Sequence, residues 1–455
     1  MIFGRALAAV FLACCIVGGA WPARAAGPDF GEPQVVFRSD RFACHKIPAI
    51  AGNGQGVLIA AVEQRFGLHR SLDFETLDLD PDSPRDASQD RLRCGDWGFA
   101  NVIFRRSTDN GRSWEDVRLL ADLRTFAQDP DEIVFAGNQT LIYAPRKNRF
   151  VALFVVSRAR GPDNSASCVM AQLKPNKKCR TAPAEIDAYS IVSDDLGLTW
   201  SKPKRIPRDK RLPPLFRPGP GHGTALKGGR LVAPAYPILM ISDDDGDTWR
   251  FGADNRQPNL VGSETSLAPL PDGRIWSLMR MANRDRNRLI KEQGWPMWLV
   301  SGISEDGGLS YETLEATRRF PIPEVHTSLL LAPLKGGGEA VVLSAPTVRR
   351  PAPELSLHRD RRDMMMAVGQ GPDRGPFAAA IVHRGPAGYS DLVTLGPGRV
   401  GILYEGVAAD DPVMKERSYV RTTLFKAIDL DKVIACAQAE PTPSPDAPPP
   451  DCFSF

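Results

Sequence analysis

The residues that could carry chemistry in this sequence are scattered along it. Tyr389 lies in Gly388-Tyr389-Ser390-Asp391-Leu392, with Leu403-Tyr404-Glu405 soon after. Glu264 stands sixteen residues before Arg280, and Arg361 sits in a basic run with Arg359 and Arg362. Asp96 is in Gly95-Asp96-Trp97-Gly98, Lys46 in Cys44-His45-Lys46-Ile47-Pro48, and His222 in Gly219-Pro220-Gly221-His222-Gly223. Arginine forks fix carboxylates in a plane, whereas a lysine supplies only a point charge. A tyrosine beside a glutamate can act as a nucleophile that is neutral until it gives up its proton. An aspartate can protonate a leaving oxygen and then activate water. Each residue alone also has a plain reading. Tyr389 fits a strand-edge aromatic, Asp96 a turn former, and the glutamate and arginines solvated charges.

What could gather them is a repeat. Ser107 to Trp114 (STDNGRSW), Ser193 to Trp200 (SDDLGLTW) and Ser242 to Trp249 (SDDDGDTW) share the pattern S-x-D-x-G-x-(T/S)-W, and Ser304 to Tyr311 (SEDGGLSY) ends it in Tyr. The pattern describes a hairpin turn: Ser and Asp side chains satisfy turn amides, Gly takes a positive φ, and the aromatic tucks beneath. Gly and Pro number 40 each, which favours short strands and tight turns over long helices. The repeats start 86, 49 and 62 residues apart, around the size of a four-stranded propeller blade. The expectation is an all-β, six-bladed β-propeller of four-stranded antiparallel blades over residues 26–437.

Composition bounds the rest. A net charge of +3 on 455 residues gives no reason to expect nucleic acid or an anionic membrane as partner. Arg5, the apolar run Leu7 to Val17 and Ala23-Arg24-Ala25 read as a signal peptide over residues 1–25, too short to span a bilayer. The mature protein is therefore expected to be secreted or periplasmic, with no membrane span, and to act as a monomer. The run from Glu440 to Asp451 is Pro-rich and closes the chain as a tail over 438–455. Beyond the leader remain Cys44, Cys94, Cys168, Cys179, Cys436 and Cys452. An even number in an exported chain suggests disulfides, and pairing between sequence neighbours is expected: 44 with 94, 168 with 179, 436 with 452. No Cys-x-x-Cys or His-Glu-x-x-His occurs, so neither a zinc site nor another cofactor is expected.

Taken with the repeats, these segments resemble the exo-α-sialidase (neuraminidase) family with Asp-box (BNR) repeats, in that family's order and over essentially the whole mature chain. Gly219 to Gly223 followed by Gly229-Arg230-Leu231-Val232-Ala233-Pro234 is similar to its GPGHG and G-R-L-V-x-P stretch. Tyr389-Ser390-Asp391-Leu392 with Leu403-Tyr404-Glu405 matches its Y-S-D-L and L-Y-E. The resemblance implies a retaining glycosidase that releases terminal α-linked sialic acid. Tyr389 would be the nucleophile, assisted by Glu264, and Asp96 the acid/base. Arg280, Arg361 and Lys46 would clamp the substrate carboxylate, with Glu405 and His222 in support. A tyrosine suits a sugar whose anomeric carbon bears a carboxylate, because an anionic nucleophile would be repelled.

Two departures point to an altered pocket. Lys46 stands where the family places an arginine, and Tyr143 where it commonly places Asp. The ligand could then be another ulosonic acid, such as Kdo, Kdn or legionaminic acid, or the propeller could bind carbohydrate without turnover. Cys44 and Cys94 each lie two residues before a site residue, so a 44–94 disulfide would tie the Asp96 loop to the Lys46 strand.

Overall fold

The computed structural model describes residues 32–39, 43–67, 98–128, 132–159, 185–208, 216–294, 297–347, 361–372, 377–408 and 422–439. The leader, the charged insertion Asp73 to Arg93, Asp96, four of the six cysteines and the run from Glu440 lie outside the described residues. Cys44 and Cys436 are both disulfide-bonded.

The fold is all-β and propeller-like. Strands follow one another as antiparallel meanders in separate sheets: Thr224–Ala225 to Arg250–Asp254, Arg256–Gln257 to Thr313–Thr317, and Ser328–Pro333 to Ala378–Pro386. A longer sheet of nine strands runs from Cys44–Gly52 to Lys204–Arg205. A small sheet pairs Arg217–Pro218 with Ala235–Tyr236, and in a further sheet the chain closes on itself. Gln34–Arg38 pairs antiparallel with Thr422–Asp429, which continues to Arg399–Gly406 and Ser390–Gly396.

Sheets pack face to face, so many strands are buried on both sides and read as continuous apolar runs rather than alternating ones. Leu58 to Val62 is an example, every side chain at 1% exposure or less. The first strands of the meanders converge on an axis. At its far end they enclose a cavity of about 300 Å³ lined in part by Gly52, Tyr143, Ala225, Pro269, Leu331 and Val393.

The four octets are nearly superposable turns. In each, the Ser hydroxyl bonds the Asp and accepts the Gly amide, at 2.7–2.9 Å throughout. The same Asp accepts the amide and hydroxyl of the Ser or Thr four residues on, at 2.5–3.0 Å. Two consecutive positive φ angles form the corner, Asn110 and Gly111, Leu196 and Gly197, Asp245 and Gly246, Gly307 and Gly308, which is the type I′ requirement. The glycine has a second reason. A Cβ on Gly111 would strike Phe425; on Gly197, Ile59; on Gly246, Val151. Each of these three turns thus seats against a strand distant in sequence. Trp114 against Phe425 and Trp200 against Phe104 fill the same seams edge-on.

Candidate functional site

The site forms where the first strands begin and the second strands end. Tyr389 immediately precedes Ser390–Gly396, Glu264 lies in Leu260–Pro269, Lys46 in Cys44–Gly52, and Arg280 near the end of Ile275–Met281. Register is irregular at nearly all of these points. Ladder slips fall between Lys46 and Ala49, between Gly137 and Thr140, between Gly262 and Thr265, and between Arg362 and Met364. A bulge re-aims side chains that a regular pleat would send to alternate faces. At the first of them Ile47 has φ 58°, an unusual conformation for a β-branched residue. It is held by its amide donating to Glu405 Oε1 at 2.9 Å and its carbonyl accepting Gln139 Nε2.

The centre is a tyrosine–glutamate pair. Tyr389 Oη donates to Glu264, with both carboxylate oxygens within reach at 2.7 and 2.8 Å. One Arg280 nitrogen reaches Glu264 Oε2 at 3.0 Å and Tyr389 Oη at 3.1 Å. The Arg361 guanidinium lies over the Tyr389 ring, 5.5 Å from its centroid. Across the site Lys46 Nζ is 3.4 Å from Glu405 Oε2, and that carboxylate also receives the Tyr389 amide at 3.4 Å. Glu405 thereby links the lysine to the backbone of the tyrosine. The structure gathers Tyr389, Glu264, Arg280, Arg361, Lys46 and Glu405; Asp96 lies outside the described residues.

Burial and charge set the protonation states. Burial alone would raise the Glu264 carboxyl, but Arg280 first, then Arg217 and His326, hold it down at about 2. Tyr389 is pushed up from the usual phenol range by burial and then by the Glu264 charge, against the pull of Arg280 and Arg361. The resting pair is therefore phenol and carboxylate. An easily formed phenolate would follow from a glutamate simply assisting the tyrosine; here the proton stays on the phenol until something else shifts the balance. Lys46 is lowered, chiefly by burial, with Glu405 opposing and Arg65 and Arg361 adding repulsion.

Several participants escaped the sequence reading. Glu324 is buried beneath both arginines: Arg280 Nη2 donates to its Oε1 at 2.5 Å, Arg286 pairs with its other oxygen, and Arg361 donates to its backbone carbonyl. Its only trace in the sequence is a glutamate after Pro-Ile-Pro, ahead of the apolar Ser328–Pro333. Arg65 comes from the strand beside Lys46 and is pinned to Glu63 at 2.5 Å. His326, at 1% exposure, packs its ring 5.8 Å from that of Tyr389.

One expectation needs correction. Tyr143 is not part of this cluster. It lines the cavity at the far end of the same strands and donates to Asn148 Oδ1 at 2.6 Å, so it cannot reshape a pocket around Tyr389. His222 lies against Asp391, its Nδ1 2.6 Å from Oδ1, and also lines the axial cavity.

Comparison with known proteins follows this geometry. The BNR repeat-like domain family model matches residues 98–423. The chain belongs to the BNR repeat-like domain family. It is 28% identical over 435 residues to a sialidase of Micromonospora viridifaciens, covering 88% of this chain and 57% of that one. It thus spans little more than half the length of that relative. A sialidase-3 of Bos taurus is 24% identical, with 70% and 81% covered. Among solved structures, a leech intramolecular trans-sialidase aligns with TM-score 0.61 at 15% identity over 89% of this chain and 71% of that one. The Hadza microbial sialidase Hz136 aligns at 0.58 and 19%, over 85% and 66%. These two likenesses concern the fold. No helix among the described residues is long and apolar enough to cross a membrane.

Proposed function

We propose that this protein is a retaining exo-glycosidase that releases terminal α-linked sialic acid from glycoconjugates. The observation that carries it is the Tyr389 hydroxyl within 2.8 Å of both Glu264 oxygens, under two guanidinium groups. Arg280, Arg361 and Lys46 face the substrate carboxylate as a cationic clamp. Tyr389 Oη attacks the anomeric carbon, its proton passes to Glu264, and the glycosidic C–O bond breaks as Asp96 protonates the leaving oxygen. Water, deprotonated by Asp96, then displaces the tyrosine, which recovers its proton from Glu264. Two displacements retain configuration. The negative charge of the substrate is what a phenol tolerates and a carboxylate nucleophile would not. Names of the relatives agree with this reading.

The same proposal extends to architecture. The nine-stranded sheet is joined across its middle by a single parallel pair, Ala100 with Phe135, where Phe99–Ser107 meets Ile133–Ala144. Counted as two blades, it brings the ring to six. Segments at or next to the first strands of all six then line the axial cavity: 50–54, Tyr143 with Pro145, 222–225, 267–269, 329–331 and 392–394. We take residues 26–437 as the propeller and 1–25 as a cleaved leader of a secreted protein.

Lys46 supports a second reading, hydrolysis of another ulosonic acid. A lysine 3.4 Å from its partner offers no fork to fix the carboxylate plane. A panel of fluorogenic α-glycosides of several ulosonic acids, assayed on wild type and Tyr389→Phe, tests both. Turnover of sialosides that Tyr389→Phe abolishes is the expected result. Preference for another member supports the second reading, equal rates for the two proteins overturn the nucleophile, and no turnover at all leaves a carbohydrate-binding propeller.

A further inference from the structure

The axial cavity at the far end of the strands takes no part in the reaction above. Its walls run from a sealed floor to an open rim. At the floor Ile50, Leu267, Leu329 and Leu392 are each at 1% exposure or less, whereas Gly54 and Pro145 at the rim are exposed. His222 shares that floor, and with 10% of its side chain exposed it is the member of this layer that still meets open space.

A polar layer separates this space from Tyr389. Asp391, at 1% exposure, accepts the Ile50 amide at 2.8 Å on one oxygen. Its other oxygen accepts the Ser328 hydroxyl at 2.9 Å and the His222 Nδ1–H at 2.6 Å. Packing is tight here: a Cβ on Gly221 would lie 3.0 Å from His326 Nε2. The cavity and the tyrosine–glutamate pair therefore lie on opposite sides of one layer.

The lining selects the chemistry of a ligand. None of the residues lining the cavity is Asp, Glu, Lys or Arg, and most are apolar. A charged ligand would lose its hydration there with nothing to pair with, and an acid would also face the Asp391 carboxylate behind the ring. Among the described residues, Nδ1 to Asp391 is the one hydrogen bond His222 makes at ordinary distance and angle. A carboxylate on one ring nitrogen orients the imidazole, which leaves Nε2 as the polar atom available to a ligand. A hydroxyl both donates and accepts, so it matches that nitrogen with or without a proton. As to size, an apolar cavity of about 150 Å³ holds benzene, and one of about 300 Å³ has room for roughly twice as many heavy atoms.

We propose that the axial cavity is a second ligand site, separate from the Tyr389 cluster, for a small uncharged alcohol or phenol whose apolar body fills the walls and whose hydroxyl docks on His222. Neither the site nor its test depends on the glycosidase reading.

Calorimetric titration of the full protein with 4-propylphenol, propylbenzene and 4-propylbenzoate tests it, together with ring-nitrogen NMR of the histidines. 4-Propylphenol should bind at one site and shift the Nε2 resonance of His222. Propylbenzene, which lacks only the hydroxyl, should bind about tenfold more weakly, the scale of one hydrogen bond, and 4-propylbenzoate should show no binding. Ala225→Phe fills the cavity from a partly exposed wall position and should abolish binding of both neutral probes. His222→Phe should bring the phenol down to the affinity of propylbenzene. Equal affinities for phenol and propylbenzene on wild type overturn the proposal, as does tighter binding of the benzoate, which would make the floor an anion site. No binding of either neutral probe overturns it too, and so does phenol binding that Ala225→Phe leaves intact. If neither variant folds, the ranking of the three probes and the His222 shift on wild type still decide it.

Discussion

Asp and Ser residues do opposite work at the two ends of the same strands. Second strands arrive at the site with Arg280 and Glu405; third strands leave it and end in the octet turns. In those turns, carboxylate and hydroxyl are consumed by the local backbone. Asp306, for instance, accepts two amides and a hydroxyl from Leu309 and Ser310 and bonds Ser304. At the other end, carboxylates bind side chains from distant segments, as Glu264 binds Tyr389 and Arg280. The first arrangement is local and repeats four times. The second joins segments far apart in the chain and depends on every sheet holding its place. On the proposed function, stability resides in one end and reactivity in the other, and that division can be tested.

The sharpest break is Tyr389→Phe. It removes one hydroxyl that Glu264 and Arg280 converge on, so activity should fall roughly 10³-fold or more, while melting temperature stays close to wild type in calorimetry. Glu324→Gln comes next. It strips charge from beneath Arg280 and Arg286, and kcat/KM should drop about 10²-fold through misplaced guanidinium groups, with the tyrosine still present. A drop confined to stability would mean that Glu324 only packs.

Lys46→Arg should raise kcat/KM on ordinary sialosides about tenfold, the scale of one added charged hydrogen bond. A loss instead would show a pocket built around lysine for another sugar acid. Smallest in its effect on rate is Asp306→Ala. It should cost about 1–3 kcal/mol in denaturant unfolding and leave kcat/KM near wild type. A large loss of activity there would erase the distinction between the two ends.

The same division explains what could be read in advance. The octets were legible because their causes are local: each partner lies within four residues, and Gly111 or Gly246 must follow from the turn itself. Tyr389, Glu264, Arg280 and Lys46 were legible through the order of their segments. Glu324 and Arg65 were not, because their importance comes from what folding sets beside them. Neither was the direction of Tyr389's acidity, which depends on burial and on the charge of Glu264. Tyr143 was misread because its segment was taken to point toward the site, while four register slips decide which end of a strand faces what. Slips of that kind are properties of paired strands and leave no mark in one strand alone.

The pairing of Gln34–Arg38 with Thr422–Asp429 has a consequence for how the molecule comes into being. Its contacts join the two extremes of the described chain, so closure is the longest loop the fold has to make. Until both partners are present, the intermediate is an open arc with an exposed strand edge at Thr422–Asp429, the kind of edge that recruits strands from other chains. Purity of the folded product should then depend on protein concentration during refolding, since a neighbour's Gln34–Arg38 fits the gap as well as the chain's own.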